Sequence, residues 1–395
     1  MKKTTGRAPV SRITFGPMQV DWEVRIDFEK MRKERLQRAR DAMAKAGLDY
    51  LILVRAENCR YTTSIRRLYW PTIRLGGGPI VALPRKGDPV VWITDVDFAA
   101  KALVWLQGGP FKKAMDMDVD YDVERFVKDL LEVFGSDIEK AQIGVDIWSP
   151  AMYNVLPKKL PKAKFINGQD VMLQARVTKT PEEIACMKMG YVISEAGMQA
   201  ALDILKPGVR ECELVGACFQ KFWDLGSETS QCSQAVNSGP GTHPYRRFHT
   251  DRIVQAGEII NMDVGACFNG YFGDFCRSFV CGTRPSKEQA DLLRRGYELQ
   301  MEALDAIRPG VSPADLCREL KRDNLGHGIG ISAFEPPHLR GRDKFIIEPG
   351  MTFSVTTPMN VVSPTVGGVH LEDEIVITEN GCEVYSTFPY TGVND

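Results

Sequence analysis

The chain has 395 residues, 50 basic against 51 acidic side chains, a formal net charge of −1 and 44% hydrophobic content. That balance gives no global field for nucleic acid or an anionic membrane, and the length exceeds what one hydrophobic core sustains, so two domains are expected. No apolar segment follows the basic start MKKTTGRAPVSR, no run is long enough to span a bilayer, and the ten cysteines lack CxxC spacing; a cytoplasmic protein with reduced thiols is expected.

After a mixed stretch over 1–28, charged residues 28–46 predict a helix that stops at Gly47. Apolar runs at 48–54, 79–84, 89–94 and 142–147 predict strands, and 122–134 and 152–160 predict helices, the alternation of an α/β domain with a mixed sheet. Between the first two strands lies RYTTSIRRLYWPTIRLGGG, with Arg60, Arg66, Arg67 and Arg74. These are either solvated arginines or a loop presenting cations to an anionic ligand. KTPEE at 179–183 places Pro181 to open a helix, and the second domain is expected from 173 onward, leaving 1–172 as the first.

The second half repeats itself. ALDILKPGV at 201–209 returns as ALDAIRPGV at 303–311, each copy ending one helix and preceding another, with Ser312-Pro313 as an N-cap and N1 pair. Two related halves are expected, with a site at their junction. Within the first half, EIINMDVGACFNGYFGDFCRSFV (258–280) is a hairpin signal, because Asn269-Gly270 supplies the two positive-φ positions of a type I′ turn. That turn pairs Phe268 with Tyr271, Gly265 with Asp274 and Asp263 with Cys276. Asp263 and Asp274 then share a face as diagonal neighbours, their Cα atoms roughly 7–8 Å apart. Such acids either face solvent or have a cation between them, and a divalent metal serves. Further on, His327 sits in the glycine-rich loop GHGIG and Glu372 on the strand-like run GGVHLEDEIVIT.

In this order Asp263, Asp274, His327 and Glu372 resemble the ligand constellation of the creatinase/prolidase/methionine aminopeptidase ("pita-bread") superfamily. The resemblance covers most of the chain: KTPEEIACMKMGYVISEAG is similar to the first catalytic-domain helix, and the N-terminal half to the smaller α/β domain. It implies an α+β protein with a C-terminal pita-bread domain. It also implies two metals held by two Asp, one His and two Glu, and a water attacking a scissile carbonyl.

Two positions depart from that pattern. Where the family has its penultimate ligand Glu, this chain has Thr356-Thr357-Pro358, and the match slides by one residue between the threonines. Where the peptidases have a His-Glu pair, this chain has Phe334-Glu335. The stretch NSGPGTHPYRRFHTDRIVQAGEI is similar to the creatinase segment carrying its catalytic histidine, which points to His243, with His249 as rival and an insertion containing Arg246 or Arg247. The two arginines that clamp a carboxylate in creatinase match Arg74 and Arg340, the former across a dimer interface. The segments ITFGPMQVDW, MRKERLQR and RYTTSI resemble the dimethylsulfoniopropionate lyases of the superfamily.

The expectation is a hydrolase that cleaves an amide- or amidine-type C–N bond in a small, carboxylate-bearing substrate. His243 and Glu372 are the catalytic candidates, and Arg74, Arg340, Arg246, Thr356, Thr357 and Glu335 the substrate-binding ones. Asp263, Asp274, His327 and Glu372 are expected to hold a divalent metal (Fe, Mn or Zn) as a single ion, with a metal-free, cation-binding pocket as the alternative. A homodimer acting on a small molecule is expected, with no nucleic-acid or membrane partner. The alternatives are a dimethylsulfoniopropionate-type lyase, an Xaa-Pro dipeptidase or aminopeptidase, and a non-catalytic binding protein.

Overall fold

A computed structural model describes residues 26–66, 78–94, 96, 103–106, 109, 111–231 and 235–391. Helix α1 (Phe28–Lys45) starts where the Asp27 carboxylate accepts from the Lys30 N–H, and strand β1 (Tyr50–Leu53) follows. The arginine-rich stretch begins as helix α2 (Ala56–Thr63), not as a loop. Its Arg60 forms a two-pronged ion pair with Glu228 at 2.5 and 2.8 Å, so that cation is already committed. Strands β2 (Ile80–Pro84), β3 (Val90–Ile93) and β4 (Phe111–Lys113) precede helix α3 (Asp120–Phe134), β5 (Gln142–Val145), α4 (Pro150–Lys159), β6 (Lys164–Asn167) and α5 (Gly168–Arg176). Among the described residues the six strands form one mixed sheet in the order β4-β3-β2-β1-β5-β6. Residue 172, where the domain division was expected, lies inside α5, which packs on α1 and β5.

Asp146 ties this sheet to α2. Its carboxylate accepts from the Val54 and Arg55 N–H groups at 2.9 and 3.1 Å and from Asn58 Nδ2 at 2.8 Å. Burial pushes its pKa up to about 6, above the ordinary value of 3.8. The folded state therefore binds the proton more tightly, and the resulting stability, full below 3.8, is lost as pH rises through about 6. Asp146→Asn removes that titration and turns an acceptor into a donor facing N–H groups. It should cost about 1–3 kcal/mol at acidic pH, and urea unfolding at several pH values should show the cost shrinking above the window. A pH-independent difference would contradict this assignment.

The second half starts at helix α6 (Pro181–Ile204). Thr180 and Glu183 close a capping box around its first turn, as the KTPEE segment suggests. Helix α7 (Glu211–Asp224), β7 (Ala235–Ser238), β8 (Ile259–Val264), β9 (Cys267–Phe268), β10 (Tyr271–Phe272) and β11 (Phe275–Val280) complete the first repeat. The second contains α8 (Lys287–Ala306), α9 (Pro313–Glu319), β12 (Asn324–Gly328), β13 (Glu335–Arg340), β14 (Thr352–Thr356), β15 (Val362–Ser363), β16 (Gly367–Gly368), β17 (Glu372–Ile377) and β18 (Cys382–Val384).

The two halves superimpose in their bonding. Gly208 N–H donates to Val254 O and Val254 N–H to Val209 O; Gly310 N–H donates to Ile347 O and Ile347 N–H to Val311 O. The sheet order β13-β12-β14-β17-β11-β8-β7 places β17 beside β11, so the halves meet at that pair, with β18 on β17. Ile260, Met262, Val264 and Phe275 pack in one core with residues of α6 and α7, while Phe353, Val355, Ile375 and Ile377 pack with residues of α8 and α9. Period-two alternation then sends Asp263, Ser354, Thr356, Glu372 and Glu374 to the opposite face. The Asn269-Gly270 turn has φ of 48° and 85°, and its register pairs Phe268 with Tyr271 and Asp263 with Cys276 as expected. The hairpin tip docks on the first domain, with Cys267, Tyr271 and Phe272 in its core and Arg35 donating to the Tyr271 hydroxyl.

Candidate metal centre

Four strands and the approach to a fifth bring the site together. Asp263 comes from β8, Asp274 from the residue before β11, Glu372 from β17, Thr356 from β14 and His327 from β12. His327 therefore lies on a strand, not in a loop. The glycine-rich sequence is compatible with this because β12 is squeezed between β13 and β14. A Cβ at Gly326 would lie 2.0 Å from Ser354 O, and one at Gly328 2.3 Å from Glu335 O. The neighbouring Nδ1 of His327 donates to Gly328 O at 3.0 Å, which turns Nε2 toward Glu372 Oε1 at 3.4 Å and Asp274 Oδ2 at 3.7 Å.

Asp263 is held on both oxygens, by Gln231 Nε2 at 2.9 Å and by the Tyr245 hydroxyl at 2.8 Å. Ser354 donates to Glu372 Oε1 at 2.7 Å, and His370 Nε2 lies 3.5 Å from Glu372 Oε2. Two groups of donor atoms result, Asp263 with His370 and Glu372, and Asp274 with His327 and Glu372; within each the atoms lie within 4.8 Å of one another. Tyr245, Gln231 and His370 escaped the reading of the sequence. For His370 a signal existed, since it stands two residues before Glu372 and on the same side of an extended chain.

The electrostatics match the geometry. Asp263, Asp274 and Glu372 are all buried, and among the described residues no Lys or Arg bonds to them. Burial, and next the Glu372 charge, push the Asp263 carboxyl above the ordinary range; burial, Glu372 and Asp263 push Asp274 well above it. Burial would raise Glu372 too, but the His327 and His370 imidazoles that face its two oxygens hold it below its ordinary value. Asp274 Oδ1 is buried without a hydrogen-bond partner. Three buried acids, two imidazoles and an unused carboxylate oxygen fit a divalent metal ion, which would compensate the carboxylates and take up the spare lone pairs.

The threonines are distinguished by register. Thr356 lies directly across from Glu372, and its hydroxyl is 3.4 Å from His370 Nε2. The Thr357 hydroxyl instead exchanges hydrogen bonds with the Leu371 backbone at 3.0 and 3.3 Å. Two substrate-binding expectations meet other partners. Arg246 pairs with buried Glu211, which also receives the Thr250 and Ser238 hydroxyls. Glu335 is 2% exposed and lies between Lys179 at 3.0 Å and Arg176 at 3.2 Å. Arg340, half-buried, has its guanidinium 5.8 Å from the ring of exposed Phe334, and that ring lies tilted against His327 with centroids 4.3 Å apart. His243 is exposed beside Gly368, outside the carboxylate cluster. Tyr245, two residues on, is the side chain of that loop that enters it. The expectation for Arg74 lies outside the described residues.

Residues 185–379 match the model of metallopeptidase family M24, and residues 35–178 that of the creatinase/prolidase N-terminal domain. The chain is 24% identical over 360 residues to the uncharacterized peptidase YqhT of Bacillus subtilis, covering 88% of this chain and 96% of that one. It is 25% identical over 366 residues to an Xaa-Pro dipeptidase of Pyrococcus furiosus, covering 89% and 97%. Among solved structures, an Xaa-Pro dipeptidase from Bacillus anthracis superposes with a TM-score of 0.74 at 24% identity, over 91% of this chain and 98% of that one.

Proposed function

The chain belongs to the creatinase/prolidase/methionine aminopeptidase superfamily, and from that premise we propose that it is a metal-dependent hydrolase of an amide-type C–N bond in a small, carboxylate-bearing substrate. The observation that carries this reading is the convergence of Asp263, Asp274, His327 and Glu372 in a buried cluster with no Lys or Arg bonded to it among the described residues. These residues would hold the metal, which when bound supplies Lewis acidity and a water of lowered pKa.

The chain's own groups would do the rest. Gln231 and Tyr245 fix both oxygens of Asp263, and Ser354 fixes Glu372, so the ligands keep their orientation through turnover. Phe334, packed against His327, forms an apolar wall where a substrate side chain can rest. Arg340, beside that ring, is placed to meet a substrate carboxylate. His243, exposed on the loop that carries Tyr245, would exchange protons between substrate and solvent.

The test is turnover of a panel of dipeptides and N-acyl or amidino amino acids by metal-loaded protein in ¹⁸O-labelled water. Hydrolysis places one label in the new carboxylate or other oxygenated product, and His243→Ala should lower kcat by about 100-fold or more. A product formed by elimination, without label, would replace the hydrolytic reading by the lyase one.

A further inference from the structure

We propose that His370 is a metal ligand that takes over the role vacated at Thr356, so that the site holds two ions, one between Asp263, His370 and Glu372 and the other between Asp274, His327 and Glu372. This rests on the metal-dependent reading above and concerns how many ions the chain holds and through which atoms.

The internal repeat supplies the first argument. In the first half Asp263 on β8 pairs with Cys276 on β11, and in the second Thr356 on β14 pairs with Glu372 on β17. Two residues before Cys276 stands Asp274; two residues before Glu372 stands His370. The repeat therefore gives His370 the position in the second half that Asp274 has in the first. Both side chains emerge at the start of the central strand pair, where the halves meet.

The second argument is the state of the ring itself. His370 is 3% exposed, its Nε2 faces Glu372 Oε2 at 3.5 Å and Thr356 Oγ1 at 3.4 Å, and its Nδ1 is buried without a hydrogen-bond partner. The Tyr245 ring lies against it at 4.7 Å, and the Tyr245 hydroxyl reaches Asp263, so one aromatic side chain braces two members of the same donor group. A histidine kept only for packing has no need of a nitrogen aimed at carboxylates. With Thr356 supplying a neutral hydroxyl, exchanging a carboxylate for an imidazole leaves three carboxylates and two imidazoles. That set favours borderline ions such as Fe, Co or Zn over Mg or Mn.

The test uses the full chain, stripped with chelator and titrated with Co(II) by calorimetry, together with proton NMR of the Co(II)-loaded protein. Wild type should take two ions and show hyperfine-shifted, exchangeable imidazole N–H signals from two histidines. His370→Ala should weaken the second ion by about 100-fold or more and lose one of those signals. Thr356→Glu in the His370→Ala background returns a carboxylate to the site and should restore the second ion without restoring the signal. Circular dichroism and the melting temperature establish that each variant is folded. If folded His370→Ala binds both ions as wild type does, or keeps both imidazole signals, the assignment is overturned. Wild type that binds no ion at all would instead overturn the metal-dependent reading beneath it.

Discussion

Glu372→Ala should empty the site of metal and abolish turnover, the largest functional effect expected of any single change in this chain. Glu372 belongs to both donor groups, with Oε1 facing His327 and Oε2 facing His370. Each group retains only two donors when it is removed. Loss of an outer residue that merely orients a ligand typically costs about 10- to 100-fold in metal affinity or activity, so loss of a ligand shared by both groups should exceed about 100-fold. The measurement is metal content by elemental analysis after dialysis, alongside the rate of the reaction found in the substrate panel. Ser354→Ala is the graded control, since it removes only the 2.7 Å hydrogen bond to Glu372 Oε1 and should stay within the outer-residue range. Wild-type metal content in Glu372→Ala would displace the ligand assignment.

The largest stability effect is expected at Glu335. Its carboxylate is enclosed with Arg176 and Lys179, all three nearly inaccessible to water. Arg176 continues the network to Asn58 at 2.8 Å, and Asn58 to Asp146, so a line of buried polar groups runs from β13 to the sheet of the first domain. Glu335→Ala leaves two cations buried without their shared acid, and breaking a buried pair in this way costs about 3–5 kcal/mol. Denaturant unfolding without substrate measures this directly. A substrate-binding carboxylate would behave differently, leaving stability unchanged while raising KM. That outcome would return Glu335 to the role its sequence position suggests.

The difference between these two glutamates shows where a sequence stops being legible. Phe334-Glu335 stands where the resemblance to the family's peptidases puts a His-Glu pair, so the local pattern points to the site. Yet the partners that claim the carboxylate are Arg176 and Lys179, more than 150 residues earlier. Arg246 is similar: its neighbours in sequence suggest a substrate arginine, but the fold places buried Glu211 against it. Ion pairs of this range have no periodicity or spacing to betray them.

What the sequence determined by itself was local or periodic. Asn269-Gly270 set the turn and thereby the register of Asp263 and Asp274, because positive φ at both central positions is a property of those two residues alone. The Thr180–Glu183 box and the Lys/Arg-Pro-Gly repeats set helix boundaries for the same reason. Alternation over GVHLEDE already sorted Glu372 and Glu374 from Asp373, which turns instead to Arg277 at 2.7 Å. The tertiary structure decided whatever depended on which strands lie side by side. Pairing of β14 with β17 put Thr356, not Thr357, opposite Glu372, and pairing of β17 with β11 brought the second half's histidine and glutamate to the first half's aspartates. Strand order is a global choice among non-local contacts, so the three acids and one histidine that the sequence names became one site only when the two repeats closed on each other.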